Sequence, residues 1–223
     1  MASLGRLWCY PPQRQTKVIL AAVAIAGLEI DTPPFEFRVS NRSPKFLAKF
    51  PLGKIPALEN DAEFTLVEGA LIARYVCSFA PESGLLGRDI EEQAHIDQWM
   101  HFVEYEISMF SLEIQALHSG CLGAHSKQMF EGLVERQARS LRFLDTYLGS
   151  CPSGFLVGGR ITLADIALAA TTQQAGRVTC GAAERALYSN IFNHYEKVVF
   201  DPRVKTAFGE ADFVEKALAY NEE

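Results

Sequence analysis

Lys49–Glu59 reads KFPLGKIPALE. Two prolines, Pro51 and Pro56, bracket Gly53 and Lys54, and the second stands at the head of an apolar stretch. Proline has no N–H for a sheet ladder, so in strand-like sequence it belongs at a strand start, an edge or a bulge. Placed between Ile55 and Ala57, Pro56 predicts a short strand whose approach leaves backbone groups free to pair with something other than the sheet.

The sequence on either side supplies the rest of a small α/β unit. Upstream, Arg6–Tyr10 (RLWCY) reads as a strand ended by Pro11 and Pro12. Residues Arg14 to Gly27 read as a helix, nearly all apolar after Lys17 and therefore buried, with Gly27 placed to end it. Phe35-Glu36-Phe37-Arg38-Val39 alternates like a half-buried strand, and Ser43-Pro44 can open a short helix reaching Phe50. Downstream, Pro56 to Glu59 and Glu63 to Leu66 read as strands around Asn60-Asp61, followed by a helix from Glu68 to Phe79. The order β-α-β-α-β-β-α predicts a thioredoxin-like α/β domain over residues 1–81.

A stretch rich in glycine and proline, APESGLLGRD (Ala80 to Asp89), predicts a linker at 82–88. Beyond it the periodicity changes. Trp99, Phe102, Val103, Ile107 and Phe110 recur at helical spacing, as do Met129, Leu133, Ala138, Leu141, Leu144 and Leu148. Residues 89–223 therefore read as an all-α helical bundle.

Composition narrows the function classes. At 48% hydrophobic and 22% charged, the chain can bury a real core, and disorder is excluded. A net charge of −6 argues against nucleic acid as a main partner. The five cysteines are odd in number, widely spaced and without a C-x-x-C, which fits a reducing compartment better than a disulfide framework or a zinc site. The apolar run Val18 to Ala26 is roughly half a membrane span. With no leader pattern at the start, the expectation is a cytoplasmic protein away from membranes.

An α/β domain, a short linker and an all-helical domain together resemble a cytosolic glutathione transferase. The resemblance rests on KFPLGKIPALE, on VEGALIARYV (Val67 to Val76) and on FLVGGRITLADIALA (Phe155 to Ala169), and it covers essentially the whole chain. More narrowly, SNRSPKFLAKFPLGKIPALE (Ser40 to Glu59) and VKTAFGEADFVEKA (Val204 to Ala217) look like the transferase-like domain of elongation factor 1-gamma. The chain is then either a free-standing transferase of that class, of the kind found in fungi and sometimes beside secondary-metabolite enzymes, or a fragment.

The resemblance implies a set of site residues. The Ile55-Pro56 bond would be cis, and the Ile55 N–H and C=O would pair with the cysteinyl part of glutathione, as a strand pairs with a peptide. Lys54 would meet the glycine carboxylate as a point charge. Glu68 and Gly69 would open a helix whose free N–H groups receive the γ-glutamyl carboxylate, Glu68 taking the ammonium group. Relatives carry serine or threonine where this chain has Gly69, a loss of roughly one neutral hydrogen bond worth about 1 kcal/mol.

Catalysis needs a donor beside the sulfur, because the thiolate is the nucleophile. The usual serine is absent from WCYPPQRQTKV (Trp8 to Val18). Tyr10 could supply a hydroxyl, Gln13 an amide N–H, and Arg14 positive potential. Cys9 could instead form a mixed disulfide, although it also reads as a buried strand residue. His95, Trp99, Phe102 and Tyr105, with Met109 and Phe110, are candidates for the electrophile's pocket between the domains, although an aromatic stripe at this spacing also describes plain core. Thr162-x-x-Asp165 is a helix-capping motif with no chemistry assigned.

Three activities follow: a glutathione transferase acting on an apolar or aromatic electrophile, a non-catalytic scaffold like that of elongation factor 1-gamma, or a thiol reductase using Cys9. The resemblance also implies a homodimer, with Phe50, Pro51 and the Glu59–Phe64 hairpin as contacts.

Overall fold

The computed structural model describes residues 4–221. Strands β1 (Arg6–Trp8), β2 (Ala57–Glu59) and β3 (Thr65–Val67) form an antiparallel sheet in the order β1-β2-β3, with Leu7 opposite Leu58 and Leu58 opposite Leu66. Alternate strand residues point to opposite faces. Leu7 and Leu58 join Val18 and Ile19 of α1 (Arg14–Ala26) and Ile72 and Val76 of α3 (Gly69–Cys77) in one core. Trp8 and Ala57 pack on the other face against Phe46 and Phe50. The domain is thus an α/β sandwich with α1 and α3 on one side.

The strand expected at Phe35–Val39 is not formed. Pro33 and Pro34 remove two N–H donors just upstream, and Arg38 takes φ +68°, so the backbone turns and enters a 3₁₀ turn at Ser40–Arg42. Residues 29–31 lie beside β1 instead: the Leu7 N–H donates to Asp31 O at 2.7 Å and the Asp31 N–H to Gly5 O at 2.9 Å, around a parallel bridge between Arg6 and Asp31. The next helix, α2 (Pro44–Leu47), stops short of Phe50; Ser43 caps it by accepting from the Phe46 N–H at 3.3 Å. β3 starts at Thr65 rather than Glu63, because Asn60 Oδ1 holds the Ala62 and Phe64 N–H groups in a turn and Glu63 sits at φ +58°.

The second half is helical. α4 (Ile90–Val103) passes through a π-helical turn (Glu104–Ser108) into α5 (Met109–His118). Then come α6 (Lys127–Ser150), α7 (Leu163–Val178), α8 (Ala182–Leu187), α9 (Ser189–Val199) and α10 (Pro202–Phe208). α7 is the buried axis of this half. Its capping residue Asp165 accepts from the Thr162 and Leu156 N–H groups and from His194 Nε2, each at 2.9 Å.

Two expected dimer and pocket contacts belong to the interior. Phe50 is buried with Phe46 and Ala57, and Phe110 with Ile114, Leu117 and Phe130. Pro51 and the hairpin tip at Asp61–Phe64 are exposed.

Candidate functional site

A cleft of about 770 Å³ opens on the first domain. The residues at its base follow from the stretch KFPLGKIPALE. Ile55-Pro56 is cis, and Gln13 Nε2 donates to the Ile55 carbonyl oxygen at 3.0 Å. A carbonyl oxygen has two lone pairs, so this bond leaves Ile55 able to accept once more.

One wall is built by Asn41, which is buried. Its Nδ2 donates to Gly53 O at 2.7 Å and its Oδ1 accepts from the Arg38 N–H at 2.8 Å. These bonds tie the Leu52–Lys54 turn to the Arg38–Arg42 turn. Gly53 has to be glycine there: it holds φ +61°, and a Cβ would meet Asn41 O at 2.9 Å. The two turns together bring Arg38, Arg42 and Lys54 to the cleft, and none of the three is in an ion pair among the described residues. Lys49, a fourth cation on the rim, is held by Glu59.

The opposite wall is the start of α3. Glu68 precedes the helix at φ +70°, ψ 107°, and its side chain caps nothing. A non-glycine residue in this region is strained by about 1–3 kcal/mol, and such strain collects at ligand sites. Of the four described non-glycine residues with positive φ, two, Arg38 and Glu68, line this cleft. The cleft therefore has cations on one side and, on the other, a carboxylate beside an uncapped helix N-terminus.

The start of α1 closes the floor. Gln13 Oε1 is buried without a partner among the described residues, and no acid occupies the first turn of α1. Gln15, one turn position further, also lines the cleft. Tyr10 does not line the cleft; it is exposed, with its ring stacked at 5.7 Å on Phe37, which does, and Arg38 in turn sits over Phe37.

The remaining expected residues are elsewhere. Arg14 is buried in the seam between the domains, paired with Glu104 of the π-helical turn and donating to Thr171 Oγ1 at 3.4 Å. Its charge is spent on a carboxylate and does not reach the cleft. Only a void of about 10 Å³ separates α1 and α3 from α4 at this point, lined by Arg14, Gln15, Val18, Met100 and Glu104 among others. The aromatic residues of α4 do not surround it. Trp99 is core, packed on Phe102, Phe143 and Tyr147. His95 and Tyr105 are exposed, Tyr105 stacking on His101 along the outer face. At Trp99 the helical aromatic spacing is a signature of packing.

Cys9 is buried and burial pushes its thiol pKa up, so it is a poor source of thiolate. Lys17 is buried too. Its Nζ donates to Gln173 Oε1 at 2.7 Å and to Phe208 O at 2.8 Å, joining α1 to α7 and α10, and burial lowers its pKa to about 8.

Asn41, Arg38, Arg42 and Gln15 were missed by sequence reasoning. Asn41 carried a signal, since S-N-R-S before a proline favours a turn with an asparagine side chain on the backbone. Nothing in the local sequence marks Gln15.

Among the described residues no helix is long and apolar enough to cross a membrane. The family models "Glutathione S-transferase, N-terminal domain" and "Glutathione S-transferase, C-terminal domain" match residues 3–78 and 91–202. The chain is 36% identical over 217 residues to the Glutathione S-transferase-like protein FUS3 of Gibberella moniliformis, with 97% of each chain covered. It is 31% identical over 221 residues to human Elongation factor 1-gamma, covering 97% of this chain and 49% of that one. The crystal structure of the GST-like domain of Elongation factor 1-gamma from Saccharomyces cerevisiae superimposes with a TM-score of 0.85 at 21% identity, covering 99% and 100% of the two chains.

Proposed function

The chain belongs to the glutathione S-transferase family, and from that membership we propose that it is a glutathione-dependent enzyme of the cytosol acting on a small apolar or aromatic electrophile. The observation that carries this reading is the charge layout of the cleft. Glutathione is an extended peptide with a carboxylate at each end and an ammonium group at one. The cleft offers Lys54 and Arg42 at one end and Glu68 with the α3 N-terminus at the other, with the Ile55 backbone between them.

In that pose the thiol lies over the start of α1. The positive end of a helix lowers a thiol pKa, and the first turn of α1 holds no acid to cancel the field. Gln13 Nε2 uses one N–H on Ile55 and keeps a second for the sulfur. Helix field and amide together take the place of the missing serine. Arg14 has no direct part. The electrophile approaches over the Tyr10–Phe37 stack, since the seam between the domains is closed. Thiolate attack then ends in conjugation, or in isomerisation, elimination or reduction, as the acceptor's chemistry dictates.

Homodimerisation is part of the proposal. Phe64, Tyr75 and Phe79 form a row of packed rings, with Leu71, Phe64 and Phe79 exposed on one edge of the first domain. Such a row fits a partner surface.

The closed seam also favours a second reading, in which the fold serves as a scaffold in the manner of elongation factor 1-gamma. Calorimetry with reduced glutathione separates the two. The enzyme reading expects binding in the millimolar range or tighter that Glu68→Ala abolishes, and turnover of a chloronitrobenzene. No binding by the wild type would leave the scaffold.

A further inference from the structure

Gly69 opens α3 at the edge of the cleft, in ordinary helical backbone. Its lack of a side chain is a matter of space. A Cβ at this position would stand 2.5 Å from Gln15 Cβ, 2.8 Å from Gln15 Cγ and 3.3 Å from Pro56 Cγ. Real Cβ atoms do not approach carbon so closely, so the stem of Gln15 occupies the volume a side chain on residue 69 would need.

That packing fixes where the amide of Gln15 goes. The stem is pressed against the first turn of α3, and the residue lines the cleft. Its amide makes no hydrogen bond to any described residue. The N-terminal N–H groups of α3 have no side-chain cap from Glu68. An uncommitted amide and uncapped N–H donors therefore share one corner of the cleft.

From this juxtaposition we infer that Gln15 is a ligand-binding residue: its amide donates to the carboxylate of the γ-glutamyl end of glutathione at the start of α3, and Gly69 is glycine to admit it. The inference rests on the glutathione reading above and names a donor which that reading did not assign. A donor from α1 takes over a task that a side chain on α3 itself would otherwise perform. It also couples the two helices whose N-termini form the floor and wall of the cleft, so ligand binding at α3 is felt at the α1 turn that holds Gln13.

The test uses Gln15→Leu, which keeps the stem and removes the amide. Calorimetry is run with glutathione and with an analogue in which 4-aminobutyrate replaces the γ-glutamyl group, so that the carboxylate is gone. A hydrogen bond to a charged group predicts about tenfold weaker glutathione binding by Gln15→Leu. The same substitution should leave the analogue's affinity within about twofold, since the group that Gln15 serves is missing. Wild-type glutathione affinity in Gln15→Leu, or equal losses for both ligands, overturns the inference and leaves the glutathione reading standing. Absence of binding by the wild type overturns both.

A second measurement needs no ligand. Gly69→Ala should lower Tm in the wild-type background and do so much less in Gln15→Gly, where both the Cβ at 2.5 Å and the Cγ at 2.8 Å have been removed. Equal losses in the two backgrounds would show that Gln15 is not what keeps residue 69 a glycine, and the inference would fall.

Discussion

The two sides of α1 make opposite use of polar residues. Toward the cleft the helix presents neutral amides, Gln13 and Gln15, in an open space rimmed by charges from other segments. Toward the second domain it presents charges, Arg14 and Lys17, each sunk into a closed contact. The charged residues act as clasps and the amides line the cleft. A cation at the start of α1 would suggest catalysis on sequence grounds, yet Arg14 is a structural element here, and it is the amides that the proposed function uses.

The comparison breaks most visibly at Glu104. Its removal leaves the buried Arg14 guanidinium without a counter-charge, with Arg14 Nε already unpartnered. Stranding one member of a buried pair costs about 3 kcal/mol, moderated here because Glu104 is itself about one-third exposed. Glu104→Ala is therefore expected to lower the urea midpoint strongly while glutathione affinity changes less than about twofold. A large affinity loss with stability intact would place Arg14 in the cleft's chemistry after all.

On the cleft side the matching substitution is Asn41→Ala. It strands the Gly53 carbonyl and the Arg38 N–H, an expected loss of about 2 kcal/mol. Unlike Glu104→Ala, it should also weaken glutathione binding about tenfold, because the Lys54 and Arg42 turns lose their tie. Parallel denaturation and calorimetry on the two variants would show whether stability and binding separate between seam and cleft.

Lys17 gives the seam a pH signature. Its pKa in the folded chain is about 8, against 10.5 for an ordinary lysine. Between those values the unfolded chain binds more protons than the folded one, so the lysine's contribution to stability rises with pH. The buried thiols of Cys77 and Cys180, pushed up to about 12, act in the opposite direction above pH 9. They cancel in the difference between wild type and Lys17→Met. That difference should grow in favour of the wild type by about 1 kcal/mol from pH 7 to pH 9, and a flat difference would mean that Lys17 keeps its proton in the seam.

Sequence reasoning reached the parts of this arrangement that local chemistry decides. Pro56 before an apolar run marks a strand start, and the helix from Arg14 to Gly27 follows from its apolar content and its glycine stop; both are present. Phe35–Val39 failed because its alternation competes with Pro33, Pro34 and the left-handed Arg38, which together turn the chain. The fate of Arg14 hangs on a carboxylate ninety residues away, and that of Trp99 on Phe143 and Tyr147 of another helix. Neither partner is visible from the local pattern. Gln15 is the extreme case, since its place is set by the absence of a side chain on a different helix.

The smallest expected effect sharpens the cleft's side of the comparison. Lys54 is exposed and free of any ion pair among the described residues, and it sits next to Ile55 at the mouth of the cleft. An exposed charge interacts through water and ions, so its attraction for a carboxylate is about 1 kcal/mol or less and screened by salt. Lys54→Ala should therefore weaken glutathione binding only about threefold at low ionic strength, and the difference from wild type should shrink as salt is added. Fold stability should be untouched, because no described residue leans on the ammonium group. A loss that persisted at high salt would mean that the bound peptide shields Lys54 from solvent, as the seam shields Arg14. The cleft would then close over its ligand, and the contrast between the two sides of α1 would hold only while the cleft is empty.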